Sequence, residues 1–150
     1  MKFTKFVAPL LLLPSLAFAH STEMMFSVPV PECGSTTARF DLNLSNLSDH
    51  AANVKVEFYS RSGQSVTPDI VLNSNYKDFI PGEEVSIPAN NTFAYQGSFY
   101  NLNSSHNKCS EFPAIVKIIK DKNSEIMANG WSTLDSGNIM AYHVNQGKAF

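Results

Sequence analysis

From residue 37 to residue 144 the chain alternates apolar and polar residues with a period of two, broken about every ten residues by clusters of turn formers. That rhythm restricts it to strands. In residues 37–45, Phe40, Leu42 and Leu44 share one face while Arg39, Asp41 and Asn43 share the other. Residues 53–60 repeat the scheme, with Val54, Val56 and Phe58 facing inward and Lys55, Glu57 and Tyr59 outward. A helical stripe needs apolar residues three and four apart, and almost nowhere does the chain hold that spacing long enough to compete.

The punctuation is equally regular. Residues 46–50, Asn-Leu-Ser-Asp-His, favour a turn through side-chain to backbone hydrogen bonds, and Gly63 supplies a position for positive φ. Residues 66–72 resume an extended pattern, in which Pro68 has no amide hydrogen to donate and belongs at an edge or bulge. Pro81-Gly82 makes a turn before a short strand at 84–88, and residues 92–100 form an aromatic strand. Two apolar segments, 113–120 and 125–133, are separated by Asp121-Lys122-Asn123-Ser124 and read as a hairpin; a last short strand spans 139–144. Seven to nine short strands predict an antiparallel β-sandwich, with Phe40, Leu42, Leu44, Val54, Val56, Phe58, Val116 and Ile118 in one core.

Residues 1–19 have the composition of an export signal. Lys2 and Lys5 precede an apolar stretch at 6–13, and Ala17-Phe18-Ala19 supplies the small-x-small cleavage site. The stretch is too short, and too interrupted by Pro9 and Pro14, for the roughly 20 residues that span a bilayer. The expected organisation is a signal at 1–19 and one domain at 20–150, secreted or periplasmic, with no transmembrane segment once the signal is removed. In such a compartment the pair Cys33 and Cys109 reads as a disulfide, closing a loop of about 75 residues that contributes about 4–5 kcal/mol in the chain-entropy model.

The run from residue 43 to residue 87 carries a paired-Asn turn, Val54-Lys55-Val56-Glu57-Phe58-Tyr59, a glycine turn, and Ile80-Pro81-Gly82-Glu83 leading into a strand. It resembles small bacterial immunoglobulin-like sandwich domains over about a third of the exported chain. The resemblance implies an architecture and no activity. Antibody-type domains place their tryptophan between the two cysteines, whereas Trp131 follows both Cys33 and Cys109.

Charge narrows the partners. The formal net charge is −2, and loss of Lys2 and Lys5 makes the exported chain more acidic, with its basic residues scattered. Nucleic acid, which needs clustered Lys and Arg, is not an expected partner. No serine lies in G-x-S-x-G, the acids are dispersed apart from Glu83-Glu84, and calcium loops are absent, so no catalytic constellation emerges. Counting back by twos from Phe150 gives Lys148 and Gln146, which is no lipid-facing barrel series.

The expected function is therefore a non-enzymatic binding, adhesion or surface-assembly domain, without a cofactor, for a protein or glycan ligand. Aromatic residues are the candidate contacts. Among Phe93, Tyr95, Phe99, Tyr100, Trp131, Tyr59 and Tyr76, the last two stand on the polar side of a strand or in a polar connection and are favoured. The alternative is a copper-binding or copper-delivery protein. Cleavage after Ala19 makes His20 the amino terminus, and this resembles the histidine brace of secreted copper proteins, with His143 favoured over His50 and His106 as second ligand and Met24 and Met25 nearby as soft donors.

Overall fold

The computed structural model describes residues 21–29, 37–66, 77–100, 113–134 and 139–150. Among the described residues nine strands run in chain order: β1 Ser21–Ser27, β2 Thr37–Asn46, β3 Ala52–Tyr59, β4 Ser65–Val66, β5 Glu84–Ile87, β6 Thr92–Tyr100, β7 Ile115–Asp121, β8 Ile126–Leu134 and β9 Ile139–His143. All pairings between them are antiparallel. One sheet has the order β1-β7-β3, with β4 and β5 sharing the far edge of β3; the other has the order β6-β2-β8-β9. The two sheets pack as an all-β sandwich.

Alternation decides which side chains meet between the sheets. β3 buries every second residue, and the eight residues expected in one core are all there at 0–1% exposure. Each large apolar side chain so buried contributes roughly 1.5–3 kcal/mol. Six aromatic rings run through this interior. Phe40 of β2 meets Phe58 of β3 edge to face at 5.4 Å, Tyr95 of β6 links Phe58 to Phe79, and Tyr142 of β9 stacks on Phe40 and contacts Phe26 of β1. The rings tie the central strands β2 and β3 to the edge strands β1, β6 and β9.

Turn chemistry follows the residues. Gly63, at φ 78°, closes the β3–β4 hairpin through its N–H to Ser60 O, a conformation an L side chain resists. Asn46 is wholly buried at the end of β2, where its amide donates to the carbonyls of His50 and Ile87 and its oxygen accepts from Ser48 N–H. The Asn-x-Ser sequence there is accordingly a structural clasp between three chain segments. After β9, Asn145, Gln146 and Gly147 all take positive φ and turn the chain so that Phe150 and Ile126 exchange backbone hydrogen bonds.

One sequence expectation is corrected. Residues 113–120 and 125–133 do not form a hairpin, because β7 pairs with β1 and β3 while β8 pairs with β2 and β9. The connection is an arch between sheets, held by its own side chains. Lys120 lies on the inward phase of β7, and its buried Nζ donates to Ser124 O at 2.5 Å and sits 5.8 Å from the centre of the Phe150 ring. Asp121 accepts from Ser124 Oγ and from Asn53 N–H. A two-residue hairpin turn could not cross the roughly 10 Å between packed sheets.

The pairs β2–β6 and β3–β7 match the B–E and C–F pairs of the immunoglobulin arrangement, but the edges differ. There the first strand borders B and the last borders F. Here β1 borders β7 and β8 borders β2.

Candidate functional site

The outer faces of the two sheets have different chemistry. On the β1-β7-β3 sheet, outward residues are long and ion-paired: Lys55 Nζ lies 2.8 Å from Glu57, and Lys117 Nζ lies 3.0 Å from Glu23. Tyr59, a sequence candidate, stands here half-buried, beside a cleft of about 250 Å³ shared with Lys55, Glu57 and Pro81. Its hydroxyl donates to Glu57 Oε2 at 2.7 Å, which holds the phenol above its usual pKa. The Lys55 ammonium and then the Tyr59 hydroxyl hold the Glu57 carboxyl below the ordinary carboxylate range.

That depression has a pH signature. A group whose pKa falls on folding adds stability above its unfolded pKa, and the gain is lost as pH falls through the folded value. Glu57 is partly solvated, so the gain is under about 1 kcal/mol. Glu57→Gln is expected to lower the melting temperature slightly at neutral pH and to leave it nearly unchanged at strongly acid pH, measured by thermal denaturation across that range. An equal effect at both pH values would remove the ion pair from the account.

On the β6-β2-β8-β9 sheet the outward residues are shorter and mostly uncharged. Register aligns Gln96, Asp41, Trp131 and Ala141 in one row across the four strands, and Ala94, Asn43, Asn129 and His143 in the next. Asp41 is the anchor of the first row. Although it points outward, its side chain is only 6% exposed, because Arg39, Gln96 and Trp131 surround it. A carboxylate so withdrawn from water must be paired. Arg39 grips it with Nε at 3.0 Å and Nη2 at 3.2 Å, and Gln96 Nε2 donates at 2.7 Å. The result is a fixed planar cluster in which Arg39 remains 44% exposed.

Trp131 stands directly across from Asp41 at 36% exposure. Together with Arg39, Asn43, Ala94 and Gln96 it encloses a recess of about 300 Å³. Asn43 Nδ2 lies 3.4 Å from Asn129 Oδ1, a weak bond that aligns two more amides along the rim. Ile139 is exposed one row beyond. This face therefore presents an indole and several prearranged donors and acceptors, the composition of a small-molecule site.

The remaining candidates fall elsewhere. His143 is exposed on β9 opposite Asn129, and His50 bonds Asp49 in the β2–β3 connection. His20, Cys33, Tyr76, His106 and Cys109 lie outside the described residues, and with them the brace and the bridge. Met25 points outward from β1 and Met24 packs against the core. Tyr95, with Phe93 beside it, is core rather than platform, and burial pushes its phenol pKa far up. Among the described residues, no three His, Cys, Asp or Glu side chains group so as to hold a metal ion, and no helix is long and apolar enough to cross a membrane.

Sequence reasoning favoured Tyr59 and Tyr76 and passed over Asp41, Gln96 and the placement of Trp131. A usable signal existed. In β8 the inward phase is Ile126, Ala128, Gly130 and Ser132, so Trp131 falls on the polar phase with Asn129 and Thr133, where a large aromatic has no core to fill. No family model, curated protein or solved structure matches the chain.

Proposed function

We propose that the chain is an exported, non-enzymatic binding module, secreted or periplasmic, that holds its partner on the outer face of the β6-β2-β8-β9 sheet. The observation that carries this reading is the exposed Trp131 beside a carboxylate already clamped by Arg39 and Gln96. A site whose polar groups are fixed before binding loses little freedom when the ligand arrives. Tryptophan and arginine are also the residues that most often dominate binding energy. The leader-like residues 1–19 and the cysteine pair support an oxidising location, and the immunoglobulin-like resemblance supports a scaffold that offers a sheet face.

The test is retention on isolated cell envelopes of the producing organism, measured by cosedimentation of the purified protein. Trp131→Ala is expected to weaken retention about tenfold or more, since loss of a central tryptophan contact exceeds about 1.4 kcal/mol. Lys117→Ala, on the opposite sheet, should retain normally. Equal sedimentation of the Trp131 variant and the unaltered protein would overturn the assignment of this face.

A further inference from the structure

We propose that the recess beside Trp131 takes one neutral sugar ring of an oligosaccharide or polysaccharide, stacked on the indole, with its hydroxyls held by Arg39, Gln96 and Asn43. This rests on reading that face as the binding surface. The first argument is charge. Among the described residues, the charged ones lining the recess are Arg39 and Asp41, and they are bonded to each other at 3.0 Å, so they offer no uncompensated charge to a ligand. A nucleotide would also stack on an indole, but its phosphates need unpaired cations. An acidic polymer needs them as well.

The second argument is the mixture of groups. A sugar hydroxyl both donates and accepts, so its site needs both kinds of partner in fixed positions. Gln96 spends its amide N–H on Asp41 and keeps its carbonyl as an acceptor, while Arg39 uses Nε and Nη2 on Asp41 and, among the described residues, has no acceptor for its other N–H groups. Asn43 carries both a donor and an acceptor. With Arg39 and Gln96 clamped by Asp41 and Asn43 bonded to Asn129, these groups form a polar rim beside an apolar ring face. A pyranose has the complementary build, with C–H groups on its faces and hydroxyls around its edge.

Size and shape give the third. About 300 Å³ is the lower end of small-molecule pockets, room for a ring rather than a folded peptide segment. Register puts the small side chains Ala94 beside Asn43 and Ala141 beside Trp131, so the sheet surface stays low on both flanks. A ring within a longer chain can lie there while its neighbours continue across the sheet. The outer face of the other sheet also holds a cleft, about 250 Å³ beside Tyr59, but it is lined by the long charged side chains Lys55 and Glu57 and has no indole.

Trp131 is the one tryptophan of the chain, so its emission reports this recess and no other place. The full exported protein is titrated with neutral glucan, mannan and galactan hexasaccharides and, separately, with alginate and heparin. At least one neutral series should give a saturable blue shift that added salt does not weaken. Gln96→Ala and Asn43→Ala should each raise Kd about tenfold, and Trp131→Ala, followed by calorimetry, should abolish the heat of binding while its circular dichroism stays unchanged. No saturable response to any neutral sugar, or a salt-sensitive response to the acidic polymers alone, overturns the proposal. If that happens while Trp131→Ala still loses envelope retention, the sugar is wrong and the binding face stands; if retention is also unchanged, both fall.

Discussion

Replacing Val56 by Asp is expected to abolish soluble accumulation of the protein. Val56 lies at the centre of β3, paired with Ile118 of β7, and is 1% exposed inside a wholly apolar stretch of the core. A carboxylate there finds no cation within the cluster, whose polar side-chain atoms are the hydroxyls of Tyr95 and Tyr142. It must either stay charged without water or take up a proton, and both cost free energy. The loss is expected to exceed about 4 kcal/mol, against about 5–15 kcal/mol of stability for a domain of this size. Lys55→Gln, one residue away but on the outer face, should cost under about 1 kcal/mol. The pair is compared by soluble yield and thermal denaturation. A Val56→Asp protein that folds normally would mean that the inward phase of β3 has been misassigned, because a shift of one residue exchanges the two faces.

The same phase argument explains what could be read from the residues alone. Period-two alternation determines which side chains point inward, and it located β2, β3, β5 to β9 and all eight expected core residues without any relative to compare; it did not single out β1, and residues 67–72 of the extended segment expected at 66–72 lie outside the described residues. It carries no information about which sheet a strand joins. β7 and β8 alternate identically whether they pair or face each other, so their hairpin became an arch only through specific contacts: Lys120 reaching Ser124 O, and Asp121 bound to Ser124 and Asn53. Those contacts depend on a lysine in an inward position, which pattern alone would treat as an error. The proposed binding face was half legible. Alternation places Arg39, Asp41 and Asn43 together outside, but the row joining Asp41 to Gln96 and Trp131 exists only once β6, β2 and β8 have their register. Tyr59, by contrast, stood where expected and proved to be bonded to Glu57 within its own strand.

Gly130→Ala is the second change expected to have a large effect, and it links the core to the Trp131 face. Gly130 sits on the inward phase of β8 between Leu42 and Tyr142. A methyl group built there would collide with the carbonyl oxygen of Asp41 and with the hydroxyl of Tyr142, and would lie 2.6 Å from the Tyr142 Cζ. The Asp41 oxygen belongs to the central strand β2, so that contact can be relieved only by a shift of Gly130 away from β2, towards β9. Tyr142 must therefore swing away, giving up its buried hydrogen bond to Asp41 O, its stack on Phe40 and its contact with Phe26. Overpacking and the lost bond together should cost about 3 kcal/mol or more, read as a drop in melting temperature. Because Trp131 follows Gly130 and Asp41 faces it, the same displacement should move tryptophan emission to longer wavelength as the recess loosens. Tyr142→Ala leaves a cavity and is destabilising by itself, yet it removes the phenol atoms that the new methyl strikes, leaving only the contact with the Asp41 carbonyl. The double variant should thus be less damaged than the sum of the two single changes, by the part of the clash that belongs to Tyr142, a coupling expected of residues in direct contact. Strict additivity would show that Gly130 is not required for the passage of the Tyr142 phenol to Asp41, and the tie between the core and the Trp131 face would have to be sought elsewhere.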